Sequence, residues 1–89
     1  MDIQEIAKRN YAATKRRGQI VSFTQAHEII EKLFEEVHEL DYSVKIDNSF
    51  DEKELADVAL VCFTMAEHFN IDLIKVMEEK MLYNEIRKD

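Results

Sequence analysis

An all-α fold, a bundle of four helices, is what this sequence predicts, and three observations carry that expectation. The chain of 89 residues holds one glycine and no proline, where average usage gives about six and four. β-turns depend on those residues, so a sandwich or barrel is excluded. Apolar residues recur at helical spacing through most of the chain, and capping residue types stand where the stripes begin. The length argues for a single domain over 1–89. The hydrophobic share of 46% is enough for a core, which speaks against disorder. A chain this short buries only roughly 60–65% of its surface. With no disulfide pair or zinc cluster to compensate, association into a homo-oligomer, a homodimer or homotetramer, is expected.

The first helix is expected over Asp2 to Arg17. Ile3, Ile6, Ala7, Tyr11 and Thr14 form its thin stripe. Lys15, Arg16 and Arg17 favour the negative end of the helix dipole, and Gly18 supplies a left-handed stop. The second helix starts near Ser22 or Thr24, with Ser22 and Gln25 as a capping box, and ends near Asp41. Its face is Ala26, Ile29, Ile30, Leu33, Val37 and Leu40. Asp41 to Asn48 has no stripe and reads as a loop. The third helix runs from Asp51 to Phe69, after a capping box of Ser49 with Glu52 or Asp51 with Glu54. It is apolar nearly all round from Leu55 to Phe63, as expected of a central helix or one shared with a partner. Asn70 stops it, Asp72 caps the fourth helix, and that helix runs from Leu73 to near the end, lined in part by Met77, Met81 and Leu82.

Net charge is −7, from 19 acidic and 12 basic residues. Such a field repels phosphate backbones, so no nucleic-acid partner is expected. No run of 18 apolar residues occurs, which predicts no membrane span, and Met1 to Glu5 is not the start of a secretion signal. The single cysteine, Cys62, lies in an apolar run and reads as a buried thiol in a reducing compartment, hence a cytoplasmic chain.

The informative residues are acidic. Glu36 and Glu39 on the second helix, and Glu54 and Asp57 on the third, are pairs three residues apart that project from one face each. Residues 40–53 are enough to return the third helix antiparallel to the second, so the pairs face each other. A lone pair in so acidic a chain is ordinary surface. Two pairs, one embedded between Leu55, Ala56, Val58 and Ala59, point to a cation, because converging carboxylates are costly without one. Oxygen-only ligands suit Mg²⁺, with Mn²⁺ as the alternative. On the fourth helix Lys80, Asn84 and Arg87 form a stripe at i, i+4 and i+7, which suits a triphosphate or is a solvated face paired with Glu79 and Glu85.

The run Glu35-Glu36-Val37-His38-Glu39-Leu40 followed by Glu54-Leu55-Ala56-Asp57-Val58 resembles the MazG-like all-α nucleoside triphosphate pyrophosphohydrolases, whose signature is Glu-Glu-x-x-Glu, a variable spacer, then Glu-x-x-Asp. The ending Lys80-x-x-x-Asn84-x-x-Arg87 is similar to that family's basic tail. The resemblance covers Thr24 to Arg87, departs at His38, where many members have glycine, and does not extend to base specificity. It implies hydrolysis of a nucleoside triphosphate to the monophosphate and pyrophosphate. Glu36, Glu39, Glu54 and Asp57 would hold Mg²⁺, Glu35 would be a further ligand or a water-orienting base alongside Glu36, and Lys80, Asn84 and Arg87 would bind the substrate phosphates. Phe23, Tyr42, Phe50 and Tyr83 are available for a base slot. A phosphoribosyl-ATP pyrophosphohydrolase shares the acidic signature but not the expected tail. A non-catalytic helical dimerisation or regulatory module is the remaining alternative.

Other chemistries fail on spacing. A ferritin-like di-iron site needs two Glu-x-x-His motifs, and Glu35-x-x-His38 is the only one. His27-Glu28-Ile29-Ile30-Glu31 lacks the final histidine of a zinc protease. His27, His38 and His68 read as surface or boundary residues.

Overall fold

The computed structural model describes residues 1–46 and 48–89. Four helices follow one another, α1 (Ile3–Arg16), α2 (Ala26–Lys45), α3 (Glu52–His68) and α4 (Leu73–Ile86), and no strand occurs among the described residues.

Local chemistry sets the ends. Asp2 accepts from the Glu5 amide at 2.9 Å and opens α1. Gly18 closes it at φ +73°: the Gly18 amide donates to Lys15 O and the Gln19 amide to Thr14 O, the paired bonds of a Schellman cap. Asn70 repeats this after α3 at φ 58°, with its own amide on Glu67 O and that of Ile71 on Ala66 O at 2.8 Å. Asp72 caps α4 through the Lys75 amide.

The second helix departs from expectation at both ends. It opens at Ala26, because Gln25 and Glu28, rather than Ser22 and Gln25, form the capping box, with Glu28 Oε2 2.7 Å from the Gln25 amide. It also runs past Asp41 to Lys45, through most of the expected loop. There Ser43 is buried and returns its hydroxyl to Leu40 O at 2.7 Å, and Lys45 pairs with Asp41 one turn back. Asp47 of that expected loop lies outside the described residues.

The third helix is central, packing against both α1 and α2. The buried apolar residues among those described are few: Ala7, Ile20, Ile29 and Ala66. Within one chain only α1, α2 and α3 pack as a bundle, and α4 has no substantial packing partner among the described residues. Its Met77, Met81, Leu82 and Ile86 are exposed, as are Ile30 and Phe34 on α2. Cys62, expected to be buried, is exposed at an apolar groove lined by Ile29 and Leu33 of α2 and by Met65. No described helix is long and apolar enough to cross a membrane.

Candidate metal centre

The acids meet where α2 and α3 run side by side. One carboxylate oxygen from each of Glu36, Glu54 and Asp57 lies within 4.8 Å of the others. Two oxygens bound to one Mg²⁺, Mn²⁺ or Ca²⁺ ion at about 2.0–2.6 Å are separated by up to about 4–5 Å, so the spacing of this set is compatible with a single cation. Glu36 is buried, Glu54 half-buried and Asp57 exposed, which gives the cluster a closed side and an open side.

The cluster is electrostatically incomplete. Glu36 Oε1 accepts from Lys32 Nζ at 3.0 Å, while Glu36 Oε2 and Glu54 Oε2 are shut off from solvent with no hydrogen-bond partner. Buried polar atoms are nearly always paired, because an unpaired one carries its full desolvation penalty. The pKa of Glu54 is raised, first by desolvation and then by the charges of Glu39, Asp51, Asp57 and Glu36. The pKa of Lys32 is raised as well, chiefly by its hydrogen bond to Glu36, which holds the ammonium in its charged form. The donor set is all oxygen, carries excess negative charge and includes two orphaned oxygens, so it fits a hard divalent ion.

The remaining expected site residues divide by position. Glu39 is exposed and outside the convergent oxygens, yet near enough for its charge to act on Glu54. Glu35 is turned towards solvent and pairs loosely with Lys32 at 3.6 Å. Lys80 and Asn84 are exposed on the unpacked α4, where Lys80 Nζ lies over the Tyr83 ring. Arg87 falls just beyond the helix in extended backbone, so the stripe expected through Arg87 breaks at its last member. None of these three borders the acidic cluster within one chain.

Beside the acids, α1, α2 and α3 enclose a cleft of about 500 Å³, within the usual range for small-ligand sites. Ile20, Ile29, Leu60 and Val61 form its apolar lining, and Glu36 and Asp57 join it to the acidic cluster. Arg17 and Lys32 contribute cations, and Asn10 and Thr64 contribute a hydrogen-bonded pair at 3.1 Å. Phe23, Tyr42, Phe50 and Tyr83, the aromatics available for a base slot, are all exposed and none lines this cleft. Sequence reasoning passed over Lys32, although its i, i+4 relation to Glu36 was visible. Asn10 and Thr64 carried no such signal, being 54 positions apart.

No family model, curated protein or solved structure gives a match to this chain.

Proposed function

We propose that the chain is a Mg²⁺-dependent nucleotide pyrophosphohydrolase of the MazG-like type, cleaving a nucleoside triphosphate to its monophosphate and pyrophosphate. The observation that carries this reading is the convergence of Glu36, Glu54 and Asp57 from two helices, with two of their oxygens unpartnered. Mn²⁺ suits the same oxygens. Bound there, the ion supplies a Lewis acid that polarises a phosphoryl oxygen and acidifies a water. Glu36, Glu54 and Asp57 hold it, and Glu39 adds negative charge from the adjacent turn. Glu35, whose carboxylate is largely in solvent, would orient the attacking water. The cleft receives the nucleoside against Ile20, Leu60 and Val61.

Lys80, Asn84 and Arg87 remain the phosphate contacts in this reading, supplied by a second copy. The same association, a homodimer or homotetramer, would cover the exposed apolar residues of α4. A cytoplasmic setting suits the single free thiol.

A screen of nucleoside triphosphates with Mg²⁺, reading pyrophosphate and the monophosphate formed, tests the proposal. Pyrophosphate release that needs metal and is lost in Asp57→Ala supports it. Orthophosphate as the product, or no turnover of any triphosphate, refutes it. The exposed apolar α4 favours a second reading, a dimerisation module without catalysis. That reading requires a thermal transition that neither Mg²⁺ nor a non-hydrolysable nucleotide moves.

A further inference from the structure

The cleft beside the carboxylates contains a cation of the chain's own. Lys32 lies one turn before Glu36 on α2, with Nζ 3.0 Å from Glu36 Oε1 and 3.6 Å from Glu35 Oε2. Its side chain also lines the cleft. Glu36 is 8% exposed and its second oxygen has no partner, so Lys32 supplies only part of what that carboxylate needs. The Lys32 side chain is itself 47% exposed. A lysine is a compact charge on a flexible four-carbon stem, so this ammonium can leave Glu36 without unpacking the helix.

Resting on the metal-site reading above, we propose that Lys32 is an exchangeable counter-ion: a divalent cation that takes Glu36 displaces the ammonium, which turns into the cleft and contacts the phosphates of an anionic ligand there. Like charges cannot share a buried carboxylate at contact distance without mutual repulsion, so the stronger cation expels the weaker. The direction of expulsion follows from the lining. Without the ion, the acids Glu28, Glu36 and Asp57 outweigh Arg17 and Lys32 in the cleft and repel phosphate. With the ion bound, the local sign inverts, and Lys32, released from Glu36, joins Arg17 as a second cation lining the cleft. Asn10 and Thr14 offer neutral polar groups beside them, and the apolar residues of the cleft suit a base. The ligand class is therefore a nucleoside phosphate, admitted after the metal. Metal and anion then raise each other's affinity by the same factor, as linkage demands.

The test is a binding measurement on the full chain, independent of turnover. Lys32→Met keeps the length and removes the charge, Lys32→Gln repeats this should methionine disturb the fold, and Lys32→Arg keeps the charge. Mn²⁺ is titrated first with no nucleotide present. The neutral variants are expected to bind it about tenfold tighter than the parent chain, the scale of one charge-assisted contact, and Lys32→Arg to bind it within about twofold of the parent. At saturating Mn²⁺, an α,β-imido nucleoside triphosphate is then expected to bind about tenfold more weakly to the neutral variants. Equal or weaker Mn²⁺ binding by those variants overturns the exchange, and so does unchanged binding of the analogue. If the parent chain binds Mn²⁺ normally while the variants do not differ from it, the Lys32 role alone falls. If the parent chain binds no Mn²⁺, the metal site falls and takes this inference with it.

Discussion

The phenol of Tyr11 lies 2.8 Å from Nδ1 of His68, and the opposite ring nitrogen, Nε2, lies 2.7 Å from the carbonyl oxygen of Thr24. A carbonyl only accepts, so Nε2 carries the proton, and in the neutral ring Nδ1 accepts from Tyr11. One imidazole thereby ties α1, the connection before α2 and the end of α3 together, at one end of the cleft where Thr24 is also a lining residue. In a chain with so few buried apolar side chains, such a polar tie matters. Tyr11→Phe is expected to cost about 1 kcal/mol, read as a fall of roughly 4–8 °C in melting temperature. A variant as stable as the parent chain would make this tie a surface contact of no structural weight.

The helices were legible because their signals are local. Gly18, Asn70 and Asp72 declare helix ends through backbone freedom or a capping carboxylate, and each acts where the sequence places it. Ser22 and Gln25 match the residue pattern of a capping box better than Gln25 and Glu28 do, yet α2 opens at Ala26 with Gln25 as its cap, so residue type and spacing alone misplace its start. The extension of α2 to Lys45 has a different cause: Ser43 is polar in type yet buried, its hydroxyl donating to Leu40 O, so polarity there does not mark the end of the helix. The convergence of Glu36, Glu54 and Asp57 followed from spacing three and an antiparallel return. The exposure of Cys62 and the isolation of α4 were not legible, since an apolar residue type looks the same whether its cover comes from its own chain or from none.

The pH dependence of stability should carry the mark of Glu54. Its pKa is raised in the folded chain, so above the ordinary glutamate value the folded state keeps a proton that the unfolded chain has lost. Stability of the metal-free protein therefore falls as pH rises through the window from that ordinary value to the raised one. The penalty is absent below the window and fully present above it. Glu54→Gln has no charge to desolvate, so its advantage over the parent chain should grow across this window and then level off. Denaturant melts in chelator, taken upward from about pH 4, follow it. A difference between the two proteins that stays constant over the range would mean that Glu54 titrates as an ordinary exposed carboxylate.

Metal should stabilise the folded chain through the same oxygens. At a free Mg²⁺ or Mn²⁺ concentration about a hundredfold above the dissociation constant, the gain is about 2.7 kcal/mol, a rise on the order of 10 °C in a domain of this size. Glu36→Gln and Asp57→Ala should abolish the rise while leaving the metal-free melting temperature unchanged or higher, since each removes one of several converging negative charges. Glu39→Ala, outside the convergent set, should keep most of it. Turnover should follow the same order, with at least about a hundredfold loss in Asp57→Ala, because losing even a supporting partner of a metal ligand costs up to that much. A metal-induced rise that survives in Asp57→Ala would remove that residue from the ligand set.

In the proposed assembly a second copy brings Lys80, Asn84 and Arg87 to the acids. Leu82 is 59% exposed on a helix with no substantial partner in its own chain, and Met81 and Ile86 are exposed with it. Sedimentation of the parent chain should give a multiple of the monomer mass, and Leu82→Asp should shift it to the monomer with loss of nucleotide binding. Arg87→Ala should weaken nucleotide binding while the chain stays folded, and Asp57→Ala should lose turnover. If each site draws its acids from one copy and its phosphate contacts from another, a two-fold hybrid of these variants contains one site with both defects and one with neither. Random mixing of equal amounts makes half of the dimers hybrid, so the mixture should recover about a quarter of the parent activity. Recovery requires that the copies exchange, which a tagged pull-down of the mixed sample checks directly. Hybrids that form without regaining activity would show that Arg87 does not serve the acids of a neighbouring copy.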